Sequence, residues 1–151
     1  MSGKMDCRTR LAAMQNSLAL PLEAQLPDWV LTRWEALAKA QGLLLSAHLN
    51  PFLQRGDFDG DGKPYIAILV EQKKTHAIGI AIFHRSSAKP TLLGAGTAFG
   101  NGGASFDWLD IWKVQEKKGS RPEALLLIKE SSVSALVTFE KGKYHWLPQG
   151  D

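Results

Sequence analysis

Apolar positions along the chain change their period once, near residue 42. Before that point Val30, Trp34, Leu37 and Gln41 fall on one stripe at helical spacing. Pro27-Asp28 opens this segment, with Asp28 placed to cap the free backbone N–H groups, and Gly42 supplies a natural stop. Trp29, Trp34 and Leu37 read as anchors of a core rather than as a ligand box. After Gly42 the texture is that of strands: Leu43–Leu45, Leu49–Gln54, Tyr65–Val70, Ala77–Phe83, Ile111–Gln115, Ala124–Ile128, Ala135–Phe139 and Tyr144–Leu147. Lysine-bearing turns at Glu71–His76, Glu116–Pro122 and Glu140–Lys143 separate the last six of these into three hairpins. The pattern predicts an α+β domain, with an N-terminal helix or helices packed on an antiparallel sheet or meander of about six to eight strands. No fixed-period repeat is present, which argues against a propeller.

Residues 1–26 are weakly patterned; Leu11, Met14 and Leu18 allow a short helix there, and residues 27–151 are expected to form the single domain. Between the first and second hairpins, Gly94–Asp107 carries Gly94, Gly96, Gly100, Gly102 and Gly103. It is too glycine-rich for a regular element and is expected to be a mobile surface loop.

A chain of 151 residues with 44% hydrophobic and 22% charged positions can bury a core without staples. The net charge of +3 is too mild to mark a nucleic-acid or membrane protein. The single cysteine, Cys7, excludes an intrachain disulfide, which fits a reducing compartment and fits a disulfide-free exported protein equally. No run approaches the roughly 20 apolar residues of a spanning helix. Lys4, Arg8 and Arg10 precede Leu11–Leu22, but Gln15, Asn16 and Ser17 interrupt that stretch, so it makes no convincing signal peptide.

The most specific chemistry lies in Gly56-Asp57-Phe58-Asp59-Gly60-Asp61-Gly62-Lys63-Pro64-Tyr65. Carboxylates at alternate positions can converge on one hard cation if the backbone curls, and Gly60 and Gly62 permit positive φ. Calcium suits such a loop because it takes six to eight oxygens in flexible geometry. Its ligands would be Asp57, Asp59 and Asp61 through their side chains and Lys63 through its carbonyl. An EF-hand is excluded, since its twelfth position needs Glu and here is Ile68 within a strand-like run. A metal-free reading also exists: Asp-Gly sequences make tight turns unaided, with Arg55 and Lys63 neutralising part of the charge.

Arg55–Val70, with its Asp-x-Asp-Gly-Asp-Gly centre, resembles the calcium loop of the FG-GAP and VCBS repeat families. More loosely, Phe99–Trp112 and Trp146–Asp151 make the chain similar to single-domain bacterial proteins that carry one such loop. The resemblance implies calcium as the bound ion. It also implies an Asp at the ninth loop position, where this chain has Tyr65. A remote acid would then complete the shell, and Glu71, Asp107, Asp110 and Asp151 are the candidates. Lacking that ligand, the loop would bind calcium in the range of about 10⁻⁴–10⁻³ M. Calcium would then be bound only in the periplasm or outside the cell.

Catalytic signatures are missing. There is no Gly-x-Ser-x-Gly elbow and no Gly-Lys-[Ser/Thr] phosphate loop, and Gly94-Ala95-Gly96 lacks a βαβ context. His48, His76, His84 and His145 show no zinc spacing and read as surface or strand residues. The expected function is therefore a non-catalytic, calcium-binding-type domain acting on another protein, in the manner of an inhibitor or immunity protein. Gly100, Asn101, Phe106 and Trp108 are its expected contact residues, because tryptophan recurs at binding hot spots. The alternative is a small hydrolase using Asp107, Asp110 and a histidine.

Overall fold

A computed structural model describes residues 22–130 and 134–149. The expected helix around Leu11–Leu18, Cys7 and Asp151 lie outside the described residues. Among those described, one α-helix accompanies nine strands arranged in two antiparallel sheets. The α+β expectation holds, with one strand more than the upper end of the expected range.

A short 3-10 turn, Leu22–Gln25, leads into α1, Asp28–Gln41. Leu26, between them, is buried, so the core begins before residue 27. Asp28 is the first helical residue and not the cap. The cap position is Pro27, whose carbonyl accepts from Val30 and Leu31 and which has no side-chain oxygen to offer. Gly42 closes the helix in the left-handed conformation at φ 67°, with its N–H donating to the Ala38 carbonyl. Val30 and Trp34 enter the core, and Arg33 reaches the carbonyls of His84, Arg85 and Ser87.

The first sheet holds β1 (Leu43–Leu45), β2 (Leu53–Gly56), β3 (Tyr65–Gln72), β4 (Ile78–His84) and β5 (Ser87–Gly94). β1 and β2 share one edge of β3, pairing with its second and first halves respectively. β4 pairs along the other edge of β3, and β5 along β4. All of β4 and the first six residues of β3 are buried, as their unbroken apolar runs require when both faces are covered.

β5 has no counterpart among the expected strands. Ser87, Lys89 and Pro90 give its first half the composition of a loop. It forms the sheet edge, where the missing N–H of Pro90 breaks no ladder. The second sheet is a meander of β6 (Ile111–Gln115), β7 (Ala124–Ile128), β8 (Ser134–Glu140) and β9 (Lys143–Gln149). The three expected hairpins are therefore β3–β4, β6–β7 and β8–β9.

The two sheets share one apolar cluster, with Ile66, Leu69 and Phe83 from the first and Trp112, Leu125 and Val137 from the second. Polar bonds lock β2 to β6 at the seam. Gln54 Nε2 donates to the Trp112 carbonyl at 3.1 Å, and Trp112 Nε1 to the Pro51 carbonyl at 2.7 Å.

Residues 94–107 are pinned, contrary to the mobile loop expected. Ala95 N–H and Phe106 N–H both donate to the Ile78 carbonyl, and Gly96 N–H donates to Ala104. Gly100–Gly102 form a 3-10 turn against Trp146. Glycine serves here as close contact: a Cβ on Gly100 would lie 2.3 Å from Trp146 Cβ.

Candidate metal centre

The acidic loop connects β2 to β3, whose pairing runs up to Gly56 opposite Tyr65. Phe58 anchors it from inside, fully buried and 5.6 Å from the Tyr65 ring. With Phe58 fixed in the core, the alternating aspartates stay on the outer side. Gly60 and Gly62 adopt φ of 78° and 85°, the curl expected of them.

Each aspartate folds back on its own loop. Asp57 accepts from Gly60 N–H at 2.9 Å and, through its other oxygen, from Gly62 N–H at 2.8 Å. Asp59 Oδ1 accepts from Asp61 N–H at 3.1 Å, and Asp61 Oδ1 from Lys63 N–H at 2.7 Å. These bonds leave Asp59 Oδ2 and Asp61 Oδ2 turned to other partners. Tyr65 donates its hydroxyl to Asp59 Oδ2 at 3.0 Å, and His84 Nε2 stands 3.0 Å from Asp61 Oδ2.

Burial holds the Asp59 carboxyl above its ordinary value, against the opposing pull of the Asp61 N–H and the Tyr65 hydroxyl. Asp61 is held below it, chiefly by the Lys63 N–H, with His84 adding to the effect. The hydroxyl of Tyr65 is pushed up by burial and then by its bond to Asp59, so it remains a donor at any physiological pH. Tyr144, also pushed up by burial first, packs edge-on to Tyr65 at 6.4 Å between ring centres.

His84, expected as a surface or strand residue, is a strand residue, but a buried one that faces the acidic loop. It ends β4, one step past the Ile66–Phe83 pair, and so lies against Tyr65 with ring centres 4.0 Å apart. Its side chain is only 4% exposed. The signal was present in the hairpin: a turn centred between Lys74 and Thr75 sets residue 84 opposite residue 65.

Asp59, Asp61 and His84 each bring one ligand atom within 4.8 Å of the other two, and this group could hold a metal ion. Asp57 is not in the group. Among the described residues no Lys or Arg, including Arg55 and Lys63, forms an ion pair with the loop carboxylates. A cleft of about 430 Å³ opens beside the loop, lined by Asp57, Asp59, Lys117, Ser120 and Glu123. Glu123, from the β6–β7 connection, accepts from Asp57 N–H at 2.8 Å.

The remote acids expected to complete the shell are placed elsewhere. Glu71 pairs with His76 at 2.9 Å, about 20 Å along β3 from Tyr65 at 3.4 Å per residue. Asp110 accepts from Glu130 N–H, bracing a turn. Asp107 is exposed. Among the described residues no histidine pairs with Asp107 or Asp110.

Of the expected contact residues, Gly100 and Asn101 are exposed and Trp108 is half-buried, its Nε1 donating to the Gly102 carbonyl at 3.0 Å. Phe106 is completely buried, so it supports the loop from beneath and has no surface for a partner. Trp108 meets Trp146 edge to face at 5.9 Å beside a second cleft of about 350 Å³, which Asn101 and Lys129 also line.

No family model matches the chain, and neither does any curated protein or solved structure. The class is therefore defined by the fold and the site alone: a two-sheet α+β domain with an acidic hairpin loop closed by a buried histidine.

Proposed function

We propose that this protein is a non-catalytic domain that binds a divalent cation at its 57–65 loop and acts by binding another protein. The observation that carries this reading is the side-by-side placement of Asp57, Asp59 and Asp61 without a Lys or Arg ion pair among the described residues. Like charges held that close repel, and a cation relieves the repulsion. The loop motif by itself points to calcium, with Asp57, Asp59, Asp61 and the Lys63 carbonyl as ligands. Glu123 replaces Glu71, Asp107 and Asp110 as the remote acid nearest the loop.

The partner surface of this reading is the Trp108–Trp146 cleft with Asn101 at its rim. Its aromatic walls and polar edge have the composition of protein-binding hot spots. The partners of the histidines support the non-catalytic reading over the hydrolase. His48 bonds the Leu109 carbonyl, His76 bonds Glu71 and His145 the Glu140 carbonyl, and none of these bonds is to the Asp107 or Asp110 carboxylate.

Calorimetric titration of chelator-treated protein with divalent cations, repeated on Asp59→Ala, tests the cation. Saturable heat in the wild type that vanishes in the variant is expected. No binding up to millimolar cation would reduce the loop to a turn. Asn101→Arg is the corresponding probe of the cleft; a partner captured equally well by this variant would remove the cleft from the reading.

A further inference from the structure

The sequence motif names an oxygen-only site, but the atoms that converge include a nitrogen. Resting on the cation-binding reading above, we infer that the ion held here is a first-row transition dication of the zinc class rather than calcium. Its ligands are His84 Nε2, Asp59 and Asp61.

The first argument is the histidine. The side chain of His84 is 4% exposed, and Nε2 has no directed hydrogen bond among the described residues. Asp61 Oδ2 is near at 3.0 Å but off the line an N–H would need. Burying an imidazole nitrogen without a partner is costly, and this one faces two carboxylates. A metal ion satisfies it directly. Tetrahedral ligands with bonds of about 2.0–2.2 Å lie about 3.4 Å apart, so the 3.0 Å spacing has to open by only a few tenths of an ångström to seat one ion.

The second argument is the tautomer. A histidine that ligates through Nε2 must carry its proton on Nδ1 and hand it to an acceptor. Ser86 N–H donates a long bond of 3.3 Å to Nδ1. On metal binding that bond yields and Ser86 Oγ, also within hydrogen-bonding distance, accepts the Nδ1 proton. The ring is further fixed by its stack on Tyr65, and the strand end by Arg33 on the His84 carbonyl.

The third argument is the fate of Asp57. Asp57 commits both oxygens to loop amides and stands outside the converging group, whereas Asp59, also bonded at both oxygens, stands inside it. Calcium would need six to eight oxygens, whereas one imidazole and two carboxylates with a water make a four-coordinate zinc-type set.

The test is competitive titration of chelator-treated full chain with Zn²⁺, Ca²⁺ and Mg²⁺, in a Cys7→Ser background so that the thiol takes no zinc. Zn²⁺ is expected to bind at least ~100-fold more tightly than Ca²⁺. His84→Gln should remove most of that zinc affinity and with it the preference for zinc over calcium. Calcium binding tighter than zinc, with His84→Gln indifferent to zinc, would overturn the inference and leave the cation reading standing. Failure of every cation to bind would sink both. Should His84→Gln not fold, imidazole ¹⁵N spectra of the parent protein decide: zinc must shift Nε2 of His84, and an unmoved resonance overturns the assignment.

Discussion

Tyr65 and Asp59 are joined by a hydrogen bond of 3.0 Å from the tyrosine hydroxyl to the carboxylate. The hydroxyl thereby fixes the orientation of Asp59, one of the proposed cation ligands. Its phenol bridges the acidic loop to the aromatic group of Phe139 and Tyr144 in the second sheet.

Tyr65→Phe keeps the ring against His84 and removes only the hydroxyl. A loss of about 1 kcal/mol in stability is expected, the usual net worth of such a bond. The bond also lowers the Asp59 carboxyl against its burial, so the variant should bind cations less well, with a larger deficit at pH 5 than at pH 8. Denaturant titrations and calorimetry at the two pH values measure both effects.

Asp59→Asn should divide stability from binding. The Asp59 carboxyl is held above its ordinary value of 3.8, so the fold prefers the protonated form. Its contribution is therefore present at low pH and lost as pH rises through the folded value. The neutral amide escapes that loss. Cation-free Asp59→Asn is expected to melt above the parent at pH 7, with the gain vanishing at acid pH, and to bind no cation. Melting curves across pH check the sign.

Phe58→Ala removes a side chain that is 1% exposed and sits beneath the loop. Losses of about 3–5 kcal/mol accompany such truncations in cores. Because the phenyl ring fixes which way the alternating carboxylates face, cation binding should fall with it. Retained binding at full affinity, measured below the melting transition, would show the loop to be held by its Asx bonds alone.

Gly100→Ala tests whether residues 94–107 are pinned. A Cβ there meets Trp146, and the φ of 52° is one that L side chains resist. Destabilisation of about 1–3 kcal/mol is expected, with a change in Trp146 fluorescence. Hydrogen exchange on the parent gives a second reading: the amides of Ala95, Gly96 and Phe106 should be protected.

Much of the site was legible because it is local. The turns of Asp57, Asp59 and Asp61 and the positive φ of Gly60 and Gly62 connect residues no more than five apart. Where legibility failed, composition and contact disagreed. Ser87–Gly94 looks like a loop and pairs as an edge strand, and the glycines of 94–103 look mobile but let the backbone approach Ile78 and Trp146.

Readable from residue order alone were the helix stopped at Gly42, the three hairpins, and an acidic loop curled between β2 and β3. Each of these follows from side-chain period or backbone conformation within a short stretch of chain. What faces that loop comes from contacts between distant strands. His84 arrives through the register of β3 against β4, and Glu123 through the packing of the second sheet against β2. Ligands and walls drawn from distant strands depend on register and sheet packing, which are settled by burial of the whole core at once.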